Sequence, residues 1–236
     1  MFLKNTLIIC LVIWGLPSFA QVVINPVIQS KTHPSLRVDS VYTGDQTICY
    51  LSVVNENTEG NAWFCADEDI ILIENQSNIK HRMIRSEGIP ICPDVHAFNT
   101  KGEVLAFQLV FPALENPIGE IDIIENCSDN CFTLKGVVLD IALNQEIRTF
   151  EMAVVDFNEG RLVRALRTFE SLNNATYKKE NHFAYSLYIV PMIHLKLGDE
   201  ASAKKTYLTL RDSEIINKTY FLKKLHEQEF FRALNP

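Results

Sequence analysis

Cys92, Asp94 and His96 bring a thiol, a carboxylate and an imidazole into one short run. A thiol beside an imidazole is the raw material of a cysteine nucleophile, and the three types together could ligate a metal. Neither chemistry is complete in the sequence. Nothing nearby supplies an oxyanion hole or a third ligand, so the run reads as a disulfide cysteine, a Pro93-Asp94 turn and a surface histidine. Asp67-Glu68-Asp69 offers the hard oxygens that calcium takes, but without the spaced pattern of a calcium loop, and reads as a solvated turn. His226-Glu227 starts a zinc-helix motif whose second histidine is replaced by Phe230. There is no Gly-x-Ser-x-Gly elbow and no phosphate-cradling glycine loop. A glycosidase carboxylate pair needs no closeness in sequence, and nothing points to one. The reading is therefore of a protein without cofactor or catalytic role. The alternative is a hydrolase or metal-dependent enzyme with its site in the first half.

The last third offers binding rather than reaction chemistry. Phe183, Tyr185, Tyr188 and His194 could line a groove. At helical spacing Tyr185 and Tyr188 share one face, and Phe183 and Leu187 share another. Aromatics at this spacing usually pack between helices, so one of the two faces must meet a neighbour. Tyr185, Tyr188 and His194 are taken as the candidate groove residues.

These residues need elements to position them, and the chain begins with a leader that is no part of the fold. Lys4, the apolar run Leu7 to Leu16 and the small residues of Pro17-Ser18-Phe19-Ala20 make a signal peptide cleaved before Gln21. Cys10 is not read as a lipid attachment site, because Ile9 precedes it and the apolar run continues past it. No later stretch is long and apolar enough to be a membrane helix. The protein is expected to be exported, to the periplasm, the cell surface or the medium.

Beyond the leader the chain has 21 Lys and Arg against 29 Asp and Glu, a net −8. Residues 21–140 carry 7 against 17, and residues 141–236 carry 14 against 12. An acidic first half and a second half without a basic stripe argue against nucleic acid or an anionic membrane as partner. Five cysteines remain, an odd number, so at least one thiol stays unpaired. Cys127 and Cys131 flank the turn-forming Ser128-Asp129-Asn130 and suit a hairpin disulfide. Cys49 sits in the apolar run Ile48 to Val54 and suits a buried free thiol, which leaves Cys65 with Cys92.

Residues 21–35 contain two prolines and no clear period, and read as an extended lead-in. From 36 to 143 the pattern is short β-rich runs broken by turns. Strands are predicted at Leu36–Tyr42, Thr47–Asn55, Ala62–Ala66, Ile70–Glu74, His81–Ser86, Val104–Phe111, Glu120–Glu125 and Phe132–Leu139. The breaks include Gly44-Asp45, Glu59-Gly60-Asn61, Lys101-Gly102 and Asn116-Pro117. That spacing predicts an antiparallel β-sandwich, with Leu105, Phe107, Leu109 and Phe111 on one strand face and Trp63 as a core anchor. From 144 to 236 apolar residues return every three or four positions. Helices are predicted over 145–158, 160–173, 182–197, 200–211 and 216–233, with Pro191 kinking the third and Asp199 capping the fourth.

The helical part repeats itself. Gly160, Ala165 and Phe169 recur in the same register as Gly198, Ala203 and Tyr207. This pattern resembles the second half of the tetratricopeptide repeat, in which a glycine ends one helix, an alanine permits close helix approach and an aromatic fills the gap behind it. The upstream helices match less well: Leu187 and Val190 fall where the family has an aromatic and a leucine, Pro191 where it has a small residue and His194 where it has tyrosine. The resemblance covers about 145–233 and implies a short array of helix hairpins that binds a protein or peptide. The first half, with Trp63-Phe64-Cys65-Ala66-Asp67, Gly88-Ile89-Pro90-Ile91-Cys92-Pro93-Asp94 and Phe111-Pro112-Ala113-Leu114, resembles a domain of exported Bacteroidetes-type proteins. That resemblance implies an immunoglobulin-like sandwich and a compartment, not an activity.

The sequence thus predicts an α+β protein, an antiparallel immunoglobulin-like β-sandwich followed by a short tetratricopeptide-like helical array. Its expected role is binding or scaffolding in the cell envelope, with a groove for a peptide or protein partner.

Overall fold

The computed structural model describes residues 20–57, 62–115, 119–127, 131–174 and 180–234. The expected signal peptide, as far as Phe19, and the chain breaks expected at Glu59-Gly60-Asn61, Asn116-Pro117 and Ser128-Asp129-Asn130 lie outside the described residues.

Two five-stranded antiparallel sheets form the first part. One orders β1 (Gln21–Ile24), β3 (Leu36–Thr43), β4 (Gln46–Val54), β10 (Val104–Pro112) and β8 (Arg85–Glu87) side by side. The other orders β2 (Ile28–Lys31), β12 (Thr133–Val138), β11 (Glu120–Ile124), β6 (Ile71–Glu74) and β7 (Ile79–Arg82). The pleat explains the alternation predicted for β10. Leu105, Phe107, Leu109 and Phe111 are buried, while Val104 and Ala106 face water. One hydrophobic core draws on both sheets, with Val38, Leu51, Val53 and Phe107 meeting Leu72, Ile121, Ile123 and Leu134. Burial of each such side chain contributes about 1.5–3 kcal/mol against the entropy of ordering the chain.

Three expectations are corrected. The lead-in is not merely extended: its residues supply β1 and β2, the edge strands of opposite sheets, with Asn25 at φ +46° turning the chain between them. The run predicted as one strand at His81–Ser86 is split across the two sheets. At the crossing, the Met83 N–H donates to the Ile70 carbonyl and the Ile84 N–H to the Val110 carbonyl, one sheet each. Trp63 is not a core anchor but 52% exposed. It lies on the two-stranded ribbon of β5 (Trp63–Phe64) and β9 (His96–Ala97), opposite Ala97, and a ribbon has only one face to bury. Phe64 takes the buried face and lies against Phe107 and Phe132.

Cys65 is bonded to Cys92, with Cα atoms 5.4 Å apart, and Cys127 to Cys131 at 5.6 Å. Cys49 is free and fully buried on β4. Two disulfides suit an oxidising compartment.

The second part packs α1 (Ile141–Asn158), α2 (Leu162–Asn174), α3 (Glu180–Lys196), α4 (Glu200–Arg211), α5 (Lys218–Leu225) and α6 (Glu229–Ala233). α3 runs through Pro191 without interruption. α1 and α3 end in the same motif. Gly160, at φ +77°, donates to the Phe157 carbonyl, and the Arg161 N–H donates to Asp156. Gly198, at φ +80°, repeats both bonds with Leu195 and, through the Asp199 N–H, His194. A left-handed residue with this bond pair stops a helix and reverses the chain, and glycine enters that conformation without a Cβ clash. Ala165, Phe169, Ala203 and Tyr207 are all fully buried between the helices that the two turns bring together. Asp199 caps α4 by accepting from the Ser202 N–H, and Asp140 caps α1 by accepting from Leu143. No helix among the described residues is long and apolar enough to cross a membrane.

α1 fastens the helices to the sandwich. Leu143 and Ile147 pack on Val138 and Val27. Between them the buried Asn144 accepts from the Val27 N–H at 2.6 Å and donates to the Val138 carbonyl at 2.8 Å. Arg148 adds bonds to the carbonyls of Ile24 and Asn25.

Candidate binding surface of the helical region

Helix α3 holds the candidate groove tyrosines because its residues 185 and 188 project on one side, where their rings meet Phe150 of α1, Phe169 of α2 and Phe221 of α5. The Tyr185 ring lies edge-on to Phe150 of α1 at 5.6 Å and to Tyr188 at 5.8 Å. Tyr188 stacks on Phe221 of α5 at 4.9 Å, and Phe221 meets Tyr220 at 5.7 Å. At the other end His182 stacks flat on Phe150, with ring centres 4.0 Å apart. Six rings from α1, α3 and α5 thus form one unbroken ladder. Tyr220 is exposed and the other five are half-buried, so each presents a rim to solvent. Burial pushes the phenols of Tyr185 and Tyr188 above their ordinary range.

The His182 imidazole is fixed from below. Its Nδ1 lies 2.9 Å from a carboxylate oxygen of Glu146, a buried acid one turn before Phe150. A carboxylate on one ring nitrogen orients the imidazole and so sets the end of the ladder. Phe150, His182 and Phe221 complete what Tyr185 and Tyr188 began. Spacing on α3 could reveal the tyrosines, but no local signal places Phe150 or Phe221 beside them.

His194 stands apart from the ladder. It is buried near the α3–α4 turn, with Nε2 3.6 Å from Glu170 of α2 and Nδ1 3.7 Å from Asp199. The opposite face of α3 carries Phe183 and Leu187, which line a cleft of about 370 Å³ between α2, α3 and α4.

In the sandwich, the Cys92–Asp94–His96 run is taken apart by the fold. Cys92 is committed to its disulfide, and the Asp94 N–H closes a turn on the Ile91 carbonyl. The His96 imidazole goes to Glu103 at 3.1 Å, not to Asp94. The Glu103 carboxyl, which also accepts from Asn99 and Thr100, is held below its usual range, chiefly by the Asn99 N–H. Asp67 uses Oδ1 to accept from the Asp69 N–H, closing its own turn. The Asp67 N–H in turn donates to Glu125, whose carboxyl burial pushes upward. Among the described residues no group of three or more His, Cys, Asp or Glu is placed to hold a metal ion. His226 donates to or accepts from the Tyr207 hydroxyl at 2.8 Å, a contact within the helical core.

Compared with known family models and with curated proteins, the chain matches none.

Proposed function

We propose that this is an exported binding or scaffolding protein of the cell envelope. In this reading the helices are a tetratricopeptide-like array, and the immunoglobulin-like sandwich is the rigid mount that presents it. The ladder His182–Phe150–Tyr185–Tyr188–Phe221–Tyr220 carries the reading. Rings held by neighbours with one rim open to solvent offer contact area at little entropic cost, the usual make-up of a recognition surface. The partner is a polypeptide that lays apolar side chains across the ladder.

The test is recovery of the protein from its native envelope after light cross-linking, with mass spectrometry of what comes with it. A stoichiometric protein partner is expected, lost in the Tyr185→Ala/Tyr188→Ala variant whose circular dichroism is unchanged. A partner that survives this substitution, or none at all, overturns the reading.

A further inference from the structure

The cleft on the other face of α3 has a chemistry the ladder lacks. Its floor is apolar, built from Phe183, Leu187 and Val190. Its rim presents acceptors. Glu170 brings a carboxylate that is about half exposed. Asn173 brings a buried carbonyl oxygen, Oδ1, that accepts no hydrogen bond. Thr206 and Thr209 bring hydroxyls whose protons are already given to helix carbonyls, Ser202 at 2.7 Å and Lys205 at 3.2 Å, leaving lone pairs to face the cleft. The side-chain amide of Asn174 is committed to the Glu170 carbonyl.

A buried carbonyl without a donor is an unmet cost, and a carboxylate beside it favours positive charge. An apolar floor under an acceptor rim matches a side chain with an alkyl stem and a donor-rich cationic head. We propose that this cleft seats an arginine or lysine side chain presented by a partner polypeptide, with the head between Glu170 and Asn173 and the stem over Leu187. The volume exceeds one side chain. The inference rests on the reading of the helices as a binding surface and names a second, separate contact on it.

The test uses the isotope-labelled protein and three blocked tripeptides, Leu-Arg-Leu, Leu-citrulline-Leu and Leu-Glu-Leu, followed by amide chemical shifts. Saturable shifts at Asn173, Thr206 and Thr209 are expected with the arginine peptide. Citrulline keeps the shape without the charge and should bind roughly tenfold more weakly, the scale of one charge-assisted hydrogen bond. Glu170→Gln should erase that difference. Equal response to the arginine and glutamate peptides, or shifts that avoid the cleft, overturns the proposal. The Tyr185→Ala/Tyr188→Ala variant should keep its arginine-peptide response. If it loses the response, the peptide sits on the ladder and the cleft assignment falls. A natural partner released by that variant but not by Glu170→Gln would overturn the cleft while leaving the ladder standing.

Discussion

Asp156 and His194 occupy the same position in their helices, four residues before Gly160 and Gly198, and carry opposite chemistry. The residue just after each glycine answers in kind. Arg161 Nε donates to Asp156 at 2.7 Å, and Asp199 approaches His194 at 3.7 Å. Arg164 adds two further bonds to Asp156. The two hairpins therefore share a backbone turn and reverse the order of acid and base across it.

The first of these pairs makes stability depend on pH. The guanidinium of Arg164, then that of Arg161, holds the Asp156 carboxyl down to about 2 from its ordinary 3.8. A folded-state value below the unfolded one means the pair stabilises above about pH 4 and is lost as pH falls toward 2. Thermal melts between those limits should show a smaller fall in Tm for Asp156→Asn than for the native protein. Parallel curves would mean that the pair contributes nothing.

Asn144 should govern how the helices hold the sandwich. Truncation to alanine removes the acceptor of the part-buried Val27 N–H and leaves the buried Val138 carbonyl without this donor. Asn144→Ala should lower the unfolding free energy by about 2–3 kcal/mol, against a few tenths for the exposed Gln145→Ala. Urea midpoints at constant m-value measure it, and equal midpoints would remove Asn144 from the joint.

The two disulfides should differ in worth because they close loops of different length. Their cysteines lie 27 and 4 residues apart. Chain-entropy scaling gives about 3–4 kcal/mol for Cys65–Cys92 and about 2 kcal/mol for Cys127–Cys131. Paired serine substitutions compared by urea unfolding should reproduce that order, and the reverse order would show that local packing outweighs loop closure.

Burial pushes the Cys49 thiol up to about 12, so at neutral pH it is un-ionised as well as covered. Iodoacetamide should leave it unmodified in the native protein and label it fully in urea. Labelling without denaturant, read by mass spectrometry, would reveal opening of β4.

Where the sequence succeeded, a local period coincided with a structural one. Leu105, Phe107, Leu109 and Phe111 alternate because a pleat alternates, and Gly160 and Gly198 mark helix ends because they must be left-handed there. It misled where pairing is remote. β1 and β2 are four residues each and gain their identity from Thr43 and Leu134, far along the chain. Trp63 looked like core because bulk is visible in sequence, whereas the ribbon partner that turns it outward is His96–Ala97. The ladder was half legible for the same reason. Tyr185 and Tyr188 lie on one helix, but Phe150 and Phe221 arrive from two others.

The strand that opens the second sheet lies beside the one that closes it. β2 pairs with β12, Leu134 opposite Lys31, so this seam joins residues more than a hundred positions apart in the chain. Without β12, β2 has no neighbour in its sheet and β11 is left with a bare edge. β12 runs directly into α1, whose Asn144 then grips Val27, next to β2. Closure of the second sheet and seating of the helices thus share one joint, and β2 gains its place only from residues at the far end of its own domain.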